Sequence, residues 1–125
     1  MWTLGSSSIV NVHAVEGPGG LFVYDTGDNL EEGAHFYQLL RSATNAPIRA
    51  IIYSHEHYVT GAKIFVEEEA KRGNTDIKII GHPNTNFSMA TTAGVAAAHP
   101  EVASVLAARS VEQFNLALPA FVWVQ

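Results

Sequence analysis

Ile48-Arg49-Ala50-Ile51-Ile52-Tyr53-Ser54-His55-Glu56-His57 is the stretch from which this chain is read. Ile48 to Tyr53 is short, β-branched and nearly uncharged, the pattern of a strand covered on both faces. Polar chemistry starts at once after it. Upstream, the acidic Glu31 and Glu32 suit the first turn of a helix through its dipole, and Phe36, Leu39, Leu40 and Ala43 fall at i, i+3, i+4 and i+7. That helix runs to about Thr44, and Pro47 marks the restart. Downstream, a second helix is expected from about Thr60, with Ala62, Phe65, Val66 and Ala70 inward. Glu67/Lys71 and Glu68/Arg72 make its outward i,i+4 pairs, and Gly73 closes it as the C′ residue.

Further out, Ser8 to Val15 reads as a strand, Gly17-Pro18-Gly19-Gly20 as a turn and Leu21 to Asp25 as the returning strand. Ile77 to Ile80 is another strand, stopped by Gly81-His82-Pro83-Asn84. Thr85 to Ala98 is uncharged with little periodicity, the pattern of a long loop with one short helical turn. Proline at a first helical position makes His99-Pro100 the start of a last helix, running to about Asn115. Leu116 to Gln125 ends the chain with apolar Leu118, Phe121, Val122, Trp123 and Val124. The expected order is β-β-α-β-α-β-loop-α. Strand–helix–strand units imply crossover connections, so the class is α/β, a mixed β-sheet that begins with an antiparallel hairpin and has helices packed on it.

The chain has 125 residues, 47% of them hydrophobic, which fits one domain with its own core. Seven basic against twelve acidic residues leave a net charge of −5. Nucleic acid is therefore not an expected partner, and neither is an acidic membrane surface, because both need a positive field. With no cysteine, disulfides, thiolate zinc sites, iron–sulfur clusters and cysteine nucleophiles are all ruled out. No stretch approaches the roughly 20 apolar residues of a transmembrane segment, and the first residues carry no signal-peptide pattern. The compartment is left open.

Two histidines at i, i+2 would point about 200° apart on a helix but share one side of an extended or looped segment. His55 and His57 are thus candidate metal ligands at the C-terminal end of a buried strand, where α/β sheets gather their sites. Neutral imidazoles suit zinc, and a catalytic zinc needs three protein ligands with a position open to water. By spacing alone such a pair is more often incidental than a metal site, and it is the position at a strand end that favours the metal reading.

These residues carry a resemblance. The hairpin ending in Tyr24-Asp25-Thr26-Gly27, the helix after it, the strand Ile51-Ile52-Tyr53 and then Ser54-His55-Glu56-His57 resemble the N-terminal half of the metallo-β-lactamase fold. Pro47 to His55, together with Ala108-Arg109-Ser110-Val111-Glu112-Gln113-Phe114-Asn115-Leu116, is most similar to the alkylsulfatase-like branch. The resemblance implies part of an αββα layered domain covering residues 1–125 and truncated at its C-terminus. It also implies a zinc-dependent hydrolase whose small-molecule substrate is a sulfate ester of an alkyl chain, attacked by metal-activated water. The family motif H-x-H-x-D-H falls on His55 to Thr60: both histidines match, while Val59 and Thr60 replace the aspartate and the last histidine. One metal, or a remodelled site completed by ligands from elsewhere, is what this segment can support.

The resemblance further implies that Asp25 supports the site by orienting a histidine; it also reads as a turn or cap residue before Gly27. His82, at a strand end, is a candidate third ligand or a loop histidine beside Pro83. His13 reads as a strand-surface residue, His35 as a helix residue and His99 as a helix flank. Glu56 reads as solvated, and Tyr58 as packed or as a donor to a substrate oxyanion. The catalytic residues are not assigned. The alternative to an enzyme is a non-catalytic scaffold with a degenerate metal site, which docks a partner or a second copy through the apolar segment Leu116 to Trp123.

Overall fold

The structure, a computed structural model, describes residues 1–5, 11–55 and 57–82. Its elements are β1 (Trp2–Gly5), β2 (Asn11–Gly17), β3 (Gly20–Tyr24), α1 (Leu30–Ala43), β4 (Ile48–Ile52), α2 (Ala62–Lys71) and β5 (Lys78–Ile80). They build one five-stranded sheet in the order β1-β2-β3-β4-β5. β1, β2 and β3 pair antiparallel, whereas β4 and β5 are parallel to β3 and to β4 respectively. Parallel neighbours need crossovers, and α1 and α2 provide them. The expected α/β class, a mixed sheet with helices packed on it, is the architecture found. The long loop, the helix from His99 and the apolar C-terminal segment lie outside the described residues.

β1 was not expected. A strand was expected over Ser8 to Val15, but the described strand starts at Asn11, and residues 8–10 lie outside the described set. Trp2 to Gly5 is too short for alternation to stand out, and its strand character comes from pairing, Trp2 opposite Ala14 and Leu4 opposite Val12.

β4 owes its form to an irregularity. Leu21 pairs with Ile48 and Phe22 with Ala50, so Arg49 is an extra residue. Period-two alternation would send Ile48 and Ile51 to opposite faces. The bulge at Arg49 brings both into the core, and Arg49 turns outward to donate from Nε to the Gly19 carbonyl. The strand expected to be covered on both faces thus carries an exposed charge.

Both helices lie on one face of the sheet, since Phe36, Tyr37 and Leu40 of α1 and Ala62 and Phe65 of α2 share a single core with Val12, Ala14, Leu21, Val23, Ile51 and Ile79. Phe36 and Phe65 are fully buried, each worth about 1.5–3 kcal/mol. The opposite face is open at Val15, Phe22 and Tyr24. α1 starts where its sequence says: Asn29 caps it by accepting from Glu32 N–H, and the Glu32 carboxylate accepts from Asp28 N–H. Ala43, expected inward, is exposed in the last turn.

α2 departs further from expectation. Gly73 does close it in the left-handed region, at φ 86°. Ala70 is exposed, however, and Glu69 is buried. The exposed ion pairs are Lys63 with Glu67 and Lys71 with Glu68, while Arg72 lies 3.4 Å from Glu69 instead of pairing with Glu68. Glu69 rotates the helix because it is the hub of a polar cluster at the N-terminal end of β4. Tyr37 Oη donates to it at 2.9 Å, Asn74 Nδ2 at 2.7 Å and Ile48 N–H at 3.3 Å. Burial alone would raise its pKa, but these hydrogen bonds and the charge of Arg41 outweigh burial and hold the carboxyl below its ordinary value. In turn burial, and then the bond to Glu69, push the Tyr37 hydroxyl up to about 12.

Candidate functional site

At the other end of β4 the chain leaves the sheet through Tyr53, whose N–H still bonds the Ile80 carbonyl at 2.8 Å. Next door, β3 ends at Tyr24, and Asp25 N–H donates to Ile52 O at 2.9 Å. Two loops therefore leave adjacent strands side by side. Several ties lock them together. Thr26 N–H and Oγ1 both donate to the Tyr58 carbonyl, at 2.8 and 3.2 Å, and Gly61 N–H reaches Gly27 O at 3.3 Å.

Gly61 makes this possible by having no side chain. A Cβ there would run into the Thr26 carbonyl oxygen and stand 2.8 Å from Gly33 Cα. Gly33 returns the constraint from α1, where an added Cβ would sit 2.5 Å from Gly61 Cα. Helix α1, the Asp25 loop and the histidine loop meet at one point of backbone contact.

Asp25 takes the left-handed backbone, φ 60°, uncommon for a residue with a side chain. The residue is 6% exposed, and its carboxylate turns back into the histidine loop. Oδ1 accepts from Ser54 N–H at 2.9 Å and Oδ2 from Ser54 Oγ at 2.7 Å. The same Oγ lies 2.7 Å from His55 Nδ1. Burial first, and then the charge of Asp25, push the pKa of the neighbouring Tyr53 hydroxyl upward, so it stays neutral.

The two expected ligands come together. The rings of His55 and His57 have centroids 5.1 Å apart, His55 half-buried and His57 exposed. Tyr58 sets its ring edge-on to His55 at 4.8 Å, which is the packed role. Two imidazoles suit zinc as donors, so the pair fits part of a metal shell. Among the described residues no group of three or more His, Asp or Glu side chains is placed to hold a metal. His82, exposed just beyond β5, does not join the pair in such a group. The motif's two altered positions face inward: Val59 is fully buried in the apolar core and Thr60 is fully buried beside it.

Elsewhere, His13 is half-buried on β2, with Nδ1 3.1 Å from Thr3 Oγ1, and His35 is exposed on α1. His99 and Glu56 lie outside the described residues. Ser54 is the site residue that the sequence reading passed over; its only signal was its place between a strand end and the first histidine. Among the described residues no helix is long and apolar enough to cross a membrane.

Residues 6–58 match the metallo-beta-lactamase superfamily, a match that runs through both histidines. A linear primary-alkylsulfatase of Pseudomonas sp. (strain ATCC 19151) is 28% identical over 106 residues, 83% of this chain and 19% of that protein. The solved structure of a double mutant of the sec-alkyl sulfatase PisA1 is 25% identical at a TM-score of 0.53, covering 70% of this chain and 14% of that one. A beta-lactamase domain protein from Burkholderia ambifaria shares the fold at a TM-score of 0.58 and 13% identity, over 98% of this chain and 39% of its own. This chain thus spans about a fifth of the curated relative it matches. By sequence match and by fold it is similar to the metallo-β-lactamase superfamily and, within it, to a segment of the alkylsulfatases.

Proposed function

We propose that this chain forms part of a single metallo-β-lactamase-like domain of a hydrolase acting on alkyl sulfate esters, with His55 and His57 as two ligands of a zinc ion. The observation that carries this reading is the superfamily match through residues 6–58, which ends on two histidines whose rings lie 5.1 Å apart. The substrate class rests on the linear primary-alkylsulfatase and the sec-alkyl sulfatase. Bound zinc supplies Lewis-acid activation of water and of the ester oxygen. The chain's own part is to hold two donors on one loop, which Thr26, Gly27 and Gly61 tie to the sheet before any metal arrives. The remaining ligands come from beyond the described residues.

A second reading is favoured by one observation: Val59 and Thr60, at the motif's acid and final histidine positions, are buried. On that reading the chain is a scaffold with a retired metal site. Elemental analysis of the purified 125-residue chain, exchanged into chelator-free buffer, separates the two. The enzyme reading expects about one zinc per chain, lost in the His55→Ala/His57→Ala double variant, together with release of sulfate from alkyl sulfates. A chain that takes up no zinc, or takes it up equally without the two histidines, overturns that assignment.

A further inference from the structure

Helices α1 and α2 cover one face of the sheet, and among the described residues no element covers the other. Apart from Met1, the large apolar side chains left exposed among the described residues are Val15, Phe22 and Tyr24, at 47%, 41% and 43%. All three stand on that open face. The pairing register sets Tyr24, Ile52 and Ile80 in one row across it and Val15, Phe22 and Ala50 in the next, while Thr3 and Lys78 close the rows at the edges of the sheet. Neither row holds an acidic residue, although the chain carries twelve. A contiguous apolar patch with a polar rim marks a surface that packs against something. The same chain holds a stretch with the matching need. Residues 83–125 contain three charged side chains, Glu101, Arg109 and Glu112, and none follows Glu112. Leu116, Leu118, Phe121, Val122, Trp123 and Val124 then come in close succession. Burying one such side chain is worth about 1.5–3 kcal/mol, so leaving the whole run in water is costly.

We propose that the open face centred on Val15, Phe22 and Tyr24 is the docking surface for the chain's own apolar stretch Leu116 to Val124. Tethering selects this occupant over a second copy. The stretch is joined through residues 83–115 to the end of β5, which is an edge strand of the same sheet. A chain of that length with flexible-linker statistics has a root-mean-square span of about 30 Å. Five strands at their usual spacing make a sheet about 20–25 Å across, so the tether matches the distance it has to cover. A matched tether holds its ligand at an effective concentration of about millimolar, above the micromolar range in which a second copy would compete. The side chains suit the surface as well. Phe121 and Trp123 bring aromatic rings to Phe22 and Tyr24, whose pairing adds to plain area burial. A stretch without charge gives up no ion hydration when it docks. The assignment stands whether or not His55 and His57 hold zinc.

The chain has no cysteine, so a single one introduced by substitution reports on its own surroundings. Val15→Cys puts a thiol of similar size on the open face, His35→Cys puts one on the exposed side of α1, and Ala14→Cys puts one on the buried face beneath the helices. The rate of alkylation by a small maleimide is measured in the full 125-residue chain. Val15→Cys is expected to react about tenfold more slowly than His35→Cys, because its thiol is reached only when the stretch lifts away. The rate is expected to stay the same across chain concentrations. Phe121→Ser with Trp123→Ser removes that protection while Ala14→Cys stays unreactive, which separates release of the stretch from unfolding of the sheet. Where the double variant unfolds, Trp123→Ala alone makes the same comparison. A thiol at position 15 as reactive as one at position 35, or protection that survives the changes at Phe121 and Trp123, overturns the proposal. Protection that fades on dilution and follows a dimer in sedimentation also overturns it, with a second copy as the occupant.

Discussion

The two ends of strand β4 each carry a buried carboxylate, and they use it differently. At the N-terminal end Glu69, 1% exposed, collects Tyr37, Asn74 and Ile48 N–H as donors, with Arg72 at 3.4 Å and Arg41 at 3.8 Å. Its hydrogen bonds end inside the protein, on groups that belong to α1, the turn after α2 and the sheet. At the C-terminal end Asp25 spends its two oxygens on Ser54, whose hydroxyl leads on to a histidine at the surface. Charge and burial are alike at the two ends. The difference lies in where the chain of hydrogen bonds terminates: one closes on the core and holds the fold, the other opens onto solvent and presents an imidazole.

The most severe way to break the comparison is at the closed end. Glu69→Ala leaves Arg41 and Arg72 without their counter-charge and removes the acceptor of Tyr37 Oη and Ile48 N–H. Losing one partner of a buried charged cluster costs about 3–5 kcal/mol, read as the shift in the urea midpoint at constant slope. The same carboxyl gives the wild type an acid limb. Its pKa is held below the ordinary 4.5, so the folded state binds its proton more weakly than the unfolded chain does. The stabilisation is complete above about 4.5 and is lost as the pH falls through the lower folded value. Glu69→Ala is expected to be less stable at neutral pH and to lose less on acidification. A variant whose acid limb runs parallel to that of the wild type would show that the charge at this end is not what the fold relies on.

That cluster also shows where sequence reading stops. The phase of α1 was legible from Phe36 and Leu40, and the ends of both helices from Glu31, Glu32 and Gly73, because these depend on neighbours within a turn or two. Glu69 was not, since its partners Tyr37 and Ile48 stand 32 and 21 residues away and hydropathy scores a glutamate as outward wherever it falls. The bulge at Arg49 was hidden for a similar reason: only pairing with β3 reveals that Ile48 and Ile51 need the same face. At the site, the histidine pair was legible as a spacing at a strand end. Ser54 was not, because its role comes from Asp25, 29 residues earlier, which the fold carries to within 2.7 Å.

A smaller effect is expected at the hinge that holds the open end in place. Gly61→Ala forces a methyl group against the Thr26 carbonyl and the α1 backbone at Gly33. Both neighbours are main chain and give way only by moving a loop or a helix, which costs about 1–3 kcal/mol. The histidine loop is tied through the same contact, so zinc uptake is expected to weaken together with the midpoint. An alanine variant with wild-type stability and zinc uptake would mean that the two loops are not held by this approach. Such a result would remove the link between the fold and the placement of the histidines.

The smallest effect sharpens the contrast most. His55→Ala with His57→Ala removes one exposed ring and one half-buried ring that packs against Tyr58, from a loop whose backbone ties run through Thr26, Gly27 and Gly61 and not through either imidazole. Side chains that open onto solvent contribute little to folding, so the double variant is expected to stay within about 0.5 kcal/mol of the wild type in the metal-free state. Its thermal midpoint, measured without zinc, checks this. A loss comparable to that of Glu69→Ala would mean that the histidines are bound into the fold as Glu69 is. Both ends of β4 would then be structural, and the difference in where their hydrogen bonds end would carry no functional meaning. Near-zero loss without metal, paired with a zinc-dependent rise in midpoint that only the wild type shows, would place the stabilising role of these histidines entirely in ligand binding.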